Sequence, residues 1–417
     1  MHVETVCTGD ELLTGLTADT NSTFFQRRLL ERLGLQVMRS TVVGDVHDDI
    51  LAALQEAGAR SQAVLVSGGM GPTSDDLTME CAARLAGVTL RENVAVRTHL
   101  EERFKRRGFV LSPNNLRQAL IPEGAEAVLN QAGSAPMVVQ RVGACTYFYV
   151  PGVPSEYRWL VEHEVLPRIA ALAGTRQVRL LKLLKTVGLP ESHLDQKVLP
   201  LHAKHPQVTF GFRTHAPENH LKLLATGGTV EQAQAALAAA EAEARALVGG
   251  YVFGVDDETL AGVVGGLLRA TNATVAVAES CTGGRVSALC TAEAGASDWF
   301  RGGAVTYQEA AKQQWLGVEA SALAEHGAVS EVVAAQMARG VRASLATTWG
   351  LSTTGYAGPT GGDAKNPVGT VYLGLSGPGV DKAERHVFAF NERERVQLFA
   401  TYAALDMLRR TLQGVAP

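Results

Sequence analysis

The chain has 417 residues, 46% hydrophobic and 19% charged, which is enough for about three domains with ordinary cores and excludes a disordered polymer. Lysine and arginine number 38 against 42 aspartates and glutamates, and the net charge of −4 disfavours a protein that coats nucleic acid. No run reaches the roughly 18 apolar residues that span a membrane, the opening residues lack a signal-peptide pattern, and the 5 cysteines form no CxxC pairs; a cytoplasmic protein with reduced thiols is expected.

The pattern divides into three pieces, about 1–170, 175–254 and 258–417. In the first, strands are predicted at 3–7, 37–43 and 63–66, with helices at 20–33, 48–59 and 77–85. Alternation of this kind predicts an α/β domain with a parallel sheet and ligands beyond the carboxyl ends of its strands. The second piece reads as a small α+β module: strand 178–187, helix 190–201, strands 208–212 and 221–225, helix 229–248. Residues 254–258 read as a linker. The third piece is again α/β, with strands at 274–278, 303–307, 352–354 and 369–375, and helices at 259–270, 285–290, 309–316 and 331–346.

Two loops of the first piece carry chemistry: Gly9-Asp10-Glu11-Leu12-Leu13 and Gly68-Gly69-Met70-Gly71-Pro72-Thr73-Ser74-Asp75-Asp76. Glycines after a strand let backbone approach a ligand, and the following helix offers N–H groups to a phosphate. Carboxylates beside a phosphate need a divalent cation between them, which points to Asp10, Asp45, Asp75 and Asp76 as a metal cluster. Helix capping is the competing use of these aspartates. The two loops, with Val43-Gly44-Asp45, Asn114-Asn115-Leu116-Arg117-Gln118-Ala119 and Pro151-Gly152-Val153-Pro154, resemble the amino-terminal domain of the CinA family, which is similar to the MoaB/MogA molybdopterin-binding fold. The resemblance implies a metal-dependent ADP-ribose pyrophosphatase, or a nucleotide- or pterin-binding relic of one. It also implies a substrate site of Gly68, Gly69, Gly71, Thr73, Asn115 and Gln118.

In the third piece a predicted strand runs straight into Glu279-Ser280-Cys281-Thr282-Gly283-Gly284 and a helix. Ser280 is either a nucleophile on a sharp turn, or part of an anion cradle with Thr282 and the amides near Gly283 and Gly284. Ser297, Tyr307 and Lys312 follow. A serine near lysine suggests a hydrolase whose neutral amine takes the hydroxyl proton, which requires lysine to fall roughly 3 units from about 10.4. Burial and a cationic neighbour, with Arg393 as the candidate, are the expected causes. No His–Asp relay is visible.

These motifs, with Gly327-Ala328-Val329-Ser330-Glu331 and Thr354-Gly355-Tyr356-Ala357-Gly358-Pro359, resemble the carboxy-terminal domain of the same family. The resemblance implies nicotinamide mononucleotide (NMN) deamidase activity from a Ser/Lys dyad without a cofactor, with Lys312 as base. Ser297 is the preferred nucleophile because the Ser280 loop looks better shaped for a 5′-phosphate. Tyr307, Thr354 and Gly355 are then substrate-orienting or oxyanion groups, and Arg393 is a substrate contact. Tyr356, Asn366 and Asn391-Glu392 depart from the family pattern at the expected rim.

The middle piece has KH-like order but no GxxG loop, so a spacer or dimerisation role is expected and not RNA binding. The expected partners are NMN, ADP-ribose and a second copy of the chain, with neither membrane nor nucleic acid. The rival reading is a non-catalytic interaction protein linked to competence or DNA damage.

Overall fold

The computed structural model describes residues 1–174, 178–390 and 392–415, so Thr175 and Asn391 lie outside the described residues. The chain divides into two compact units, one of Met1–Leu181 with Thr226–Gln234, the other of Lys182–Ala225 with Ala235–Pro417.

The first unit holds a six-stranded sheet. Its members are β1 (Val3–Thr8), β2 (Val37–Val43), β3 (Ala63–Ser67), β6 (Glu126–Val128), β7 (Met137–Val142) and β8 (Cys145–Val150), in the order β2-β1-β3-β8-β7-β6. Two short strands, β4 (Leu90–Glu92) and β5 (Leu120–Pro122), pair separately. Every residue of β1 and β3 is buried, as a sheet covered on both faces requires. The expected parallel sheet is realised in β2, β1, β3 and β8, but β7 pairs antiparallel with both β8 and β6. A connection of two residues, Gly143 and Ala144, joins β7 to β8, and no parallel crossover fits into so short a link. The Thr20–Leu33 helix is capped by Asp19, which accepts from Ser22 N, and it stops at left-handed Gly34.

The KH-like order appears as β9 (Val178–Val187), the Glu191–Lys204 helix, β10 (Val208–His215), β11 (Glu218–Gly227) and the Val230–Val248 helix. A further strand, β12 (Val252–Val255), pairs antiparallel with β9. The segment 254–258 is therefore no free linker. Asp256 Oδ1 accepts from Leu183 N, Lys185 Nζ donates to Glu258 O, and Glu258 folds back to cap Val255 N.

The last sheet has the order β14-β13-β15-β16-β17, from β13 (Val275–Glu279), β14 (Phe300–Val305), β15 (Trp349–Gly355), β16 (Thr370–Gly377) and β17 (Val380–Val387). β13 is parallel to both neighbours, and β16 and β17 turn back antiparallel. The chain leaves β13 for β14 on one side and reaches β15 on the other, which makes the carboxyl end of β13 a topological switch point. The Arg393–Gln413 helix covers one face. Its Arg409, 1% exposed, pairs with Asp406 and donates to Gly250 O and Val252 O, fastening the KH-like module to this helix. Among the described residues, no helix is long and apolar enough to cross a membrane.

Candidate functional site

The switch point at β13 gathers the third piece's chemistry. Lys312, on the Glu309–Leu316 helix, is 1% exposed, and its Nζ lies 3.1 Å from Ser280 Oγ. The same nitrogen donates to Thr306 O at 2.7 Å and to Tyr307 O at 3.4 Å. Burial pushes the ammonium below its ordinary value, against the opposing fields of Cys281 and Glu309. A neutral amine has two N–H bonds and one lone pair. With the two carbonyls taking the N–H bonds, the lone pair is left facing the serine hydroxyl.

Ser297 stands elsewhere. It is exposed, in the short turn Ala296–Asp298 before β14, while Ser280 follows the far end of the parallel neighbour β13. Five residues of strand at about 3.3 Å each put on the order of 16 Å between these ends. The preference for Ser297 is therefore corrected on geometry: the serine that faces Lys312 is Ser280. The loop after β13 is a closed turn and no cradle, so it presents Ser280 to the lysine.

That loop is organised from inside. Glu279, the fully buried last residue of β13, accepts from Thr282 Oγ1, Gly284 N, Val286 N, Ser287 N and Ser287 Oγ at 2.7–3.2 Å. Gly283 N and Arg285 N close on the carbonyls of Ser280 and Thr282. The amides from Gly283 to Ser287 are thus engaged internally, and Thr282 is a buried structural residue that also bonds Thr353. The expected cradle of Thr282, Gly283 and Gly284 does not stand open. Sequence reasoning passed over Glu279; an acidic residue just before a helix start was the available signal.

Arg393 does not act on Lys312 as expected, and the fall in the lysine comes from burial. Its guanidinium donates to Tyr307 Oη at 2.9 Å and Gly358 O at 3.0 Å. Tyr307 is 56% exposed, so its ring stands at the mouth of the site. Thr354 is buried and gives its hydroxyl to Ala328 O, so it is not an open oxyanion donor. Gly355 is there for packing: a Cβ would lie 2.5 Å from Thr370 O. Cys281 is buried and its thiol is pushed up to about 12, which removes it as a nucleophile. Asn366 is buried and holds the 363–366 turn through Tyr372 and Arg385.

The first unit has its own cavity of about 510 Å³ at the carboxyl ends of β1, β3 and β8. Gly68, Gly69 and Gly71 line it with Glu11, Asp45, Asp75, Asp76 and Gln118. Gly69 has φ +60°, and a Cβ there would lie 2.3 Å from Thr78 Oγ1, so no other residue fits. Gln118 is buried, and its Oε1 has no hydrogen-bond partner among the described residues. Asn115 instead ties Ser112 and does not line the cavity.

Of the four expected metal aspartates, Asp76 is turned inward, accepting from Gly71 N, Thr73 N and Thr73 Oγ1. It builds the loop. Thr73 is exposed, and its hydroxyl donates to Asp76. Asp10 and Asp45 cross-brace each other, each carboxylate accepting the other's backbone N–H. Burial pushes the Asp45 carboxyl up, and Asp10, Glu11 and Asp75 add repulsion. Asp75 is held low by Thr73, its own backbone and Arg117. Among the described residues, no three His, Cys, Asp or Glu form a group able to hold a metal ion. Two carboxylates, Asp45 and Asp75, line the cavity all the same, and a magnesium-type ion characteristically takes one or two carboxylates and completes its shell with water and substrate phosphate.

Three family models match in order along the chain: the "Probable molybdopterin binding domain" over residues 4–171, the "Damage-inducible protein CinA KH domain" over 181–254 and the "CinA C-terminal domain" over 257–412. A CinA-like protein of Myxococcus xanthus is 51% identical over 415 residues, covering 99% of this chain and 98% of the relative. The chain belongs to the CinA family. A CinA-like protein of Synechococcus elongatus is 41% identical over 98% of this chain and 97% of its own. Among solved structures, CinA of Thermoplasma acidophilum is similar over 40% of this chain and 97% of its own, at 34% identity and a TM-score of 0.37. The competence damage-inducible protein A of Klebsiella pneumoniae covers 37% of this chain and 95% of its own, at 35% identity and a TM-score of 0.36. The matched molybdopterin-binding-like and CinA C-terminal domains are consistent with hydrolase activity.

Proposed function

We propose that this CinA-family chain is a bifunctional hydrolase of pyridine-nucleotide salvage. Its carboxy-terminal domain deamidates NMN to nicotinate mononucleotide and ammonia. The observation that carries this reading is the buried Lys312 amine beside Ser280 Oγ.

In this mechanism Ser280 Oγ attacks the carboxamide carbon while its proton passes to Lys312 Nζ. The carbonyl π bond opens to an oxyanion, which the backbone N–H of Cys281, directly after the nucleophile, is assigned to stabilise. When the oxyanion collapses, the C–N bond breaks and the Lys312 proton goes to the leaving nitrogen, giving ammonia. Water then adds to the ester with Lys312 again taking a proton, and Ser280 leaves with it.

The amino-terminal domain is proposed to hydrolyse the pyrophosphate of ADP-ribose with a divalent ion. Asp45 and Asp75 would hold that ion beside the Gly68–Gly71 backbone, where it would polarise a phosphoryl oxygen. The crowding of Asp45 by Asp10, Glu11 and Asp75 supports the assignment, because a cation relieves it. Gln118 Oε1 awaits a hydroxyl or amine donor from the substrate. A cytoplasmic homodimer completes the reading.

The test is to give the full chain NMN and ADP-ribose with and without a chelator. Ammonia release should survive the chelator, and ADP-ribose hydrolysis should stop. Loss of both, or of neither, contradicts this division of labour.

A further inference from the structure

The end of the last sheet opposite Ser280 carries a second cavity, of about 700 Å³, between the end of the Glu331–Ser344 helix and the turn that joins β16 to β17. Ser280 N donates to Thr353 O near the carboxyl end of β15, whereas Ser376, which lines this cavity, pairs with Gly350 near the start of that strand. At roughly 3.3 Å per residue, about 10 Å of strand separate Gly350 from Thr353, so the cavity is distinct from the Ser280–Lys312 site.

The helix lies directly on the sheet. A Cβ on Gly350 would fall 2.1 Å from Ala338 O, and one on Gly374 2.3 Å from Ala334 O. Its Arg339 and Arg342 then line the cavity together with the β16–β17 turn. Arg339 is neutralised by Asp381, 2.6 Å away. Arg342 is not. Among the described residues its guanidinium makes a single long hydrogen bond, 3.5 Å to Ser376 Oγ, and no carboxylate pairs with it. A guanidinium has five N–H donors, so most of those on Arg342 are left for a ligand. Ser376 is 2% exposed, and its hydroxyl accepts from Arg342 without donating to any described residue.

The carbonyls at a helix end would repel an anion. Here Val341 O, Arg342 O and Ala343 O are occupied, accepting from Leu345 N, Thr347 N and Ala346 N. Ala343 and Ala346, both exposed, give the mouth no side chain that could close it.

We infer that this cavity is a further ligand site, in which Arg342 and Ser376 bind the phosphate of a small phosphomonoester. The guanidinium fork and the hydroxyl are donors only waiting for acceptors, and a phosphate offers oxygens to both. The volume is that of a small-molecule site and exceeds what a bare ion needs.

The test is calorimetric titration of inorganic phosphate into the full chain as wild type, Arg342→Met, Arg342→Lys and Ala343→Glu. The wild type should show a binding component that Arg342→Met lacks. Arg342→Lys should bind it about tenfold or more weakly, because an ammonium cannot make the forked contact. Ala343→Glu, an exposed helix position that accepts glutamate, sets a carboxylate at the mouth and should lose the component as well. Phosphate that enters either proposed hydrolytic site contributes equally to all four isotherms. An isotherm of Arg342→Met or Ala343→Glu equal to that of the wild type overturns the assignment, and if Arg342→Met fails to fold, Ala343→Glu alone decides.

Discussion

Lys312 Nζ and Ser280 Oγ stand 3.1 Å apart, and Lys312 is 1% exposed. Water cannot solvate the ammonium at that depth, so burial favours the neutral amine, the form that can take a proton. The rate should therefore rise with pH through the depressed Lys312 pKa and level off below lysine's ordinary value of about 10.4. A kcat/KM profile for ammonia release checks this. A limb centred on the ordinary lysine value would contradict it.

The same depression affects stability. Between the folded and unfolded pKa values of Lys312 the unfolded chain binds the extra proton, so stability rises with pH across that window. Below the folded value both states carry the proton and the dependence ends. Lys312→Met lacks the effect. Between pH 7 and 10, the urea midpoint of the wild type should climb relative to that of the variant.

Glu279 holds three amides and two hydroxyls of the Ser280 loop. Glu279→Gln turns an NH2 group toward one set of donors and leaves buried N–H groups unpaired, at a cost of at least about 2 kcal/mol. Because the loop positions Ser280, kcat should fall more than KM rises. Thermal unfolding alongside kinetics would report both effects.

In the amino-terminal cavity, Asp45→Asn should reduce the repulsion around Asp45 yet abolish metal-dependent hydrolysis of ADP-ribose, while Asp76→Ala should act by loosening the loop. Metal titrations of activity separate the two. Asp45→Asn should stay inactive at saturating metal, and Asp76→Ala should recover in part.

Much of the fold was legible because strand and helix periods were strong: Thr20–Leu33, Val37–Val43, Val178–Val187 and Glu309–Leu316 have the boundaries read from sequence. The antiparallel edge of β7 and β6 was not, since the direction of β7 is set by the two-residue link that joins it to β8. Ser280 and Lys312 were both legible as chemistry, but their pairing was not. Lys312 is 32 residues from Ser280 and 15 from Ser297, and only the parallel register of β13 and β14 reveals which serine shares its end of the sheet. The same holds for Glu279, whose five bonds reach three to eight residues ahead and convert an apparent cradle into a closed turn.

The measurement that bears most directly on the Ser280–Lys312 dyad is ammonia release from NMN, with a chelator present, by the wild type, Ser280→Ala, Ser297→Ala and Lys312→Ala. Turnover should persist in the wild type and Ser297→Ala and vanish in Ser280→Ala and Lys312→Ala, with all four chains folded by circular dichroism. Activity that survives in Ser280→Ala, or is lost in Ser297→Ala, would contradict the dyad.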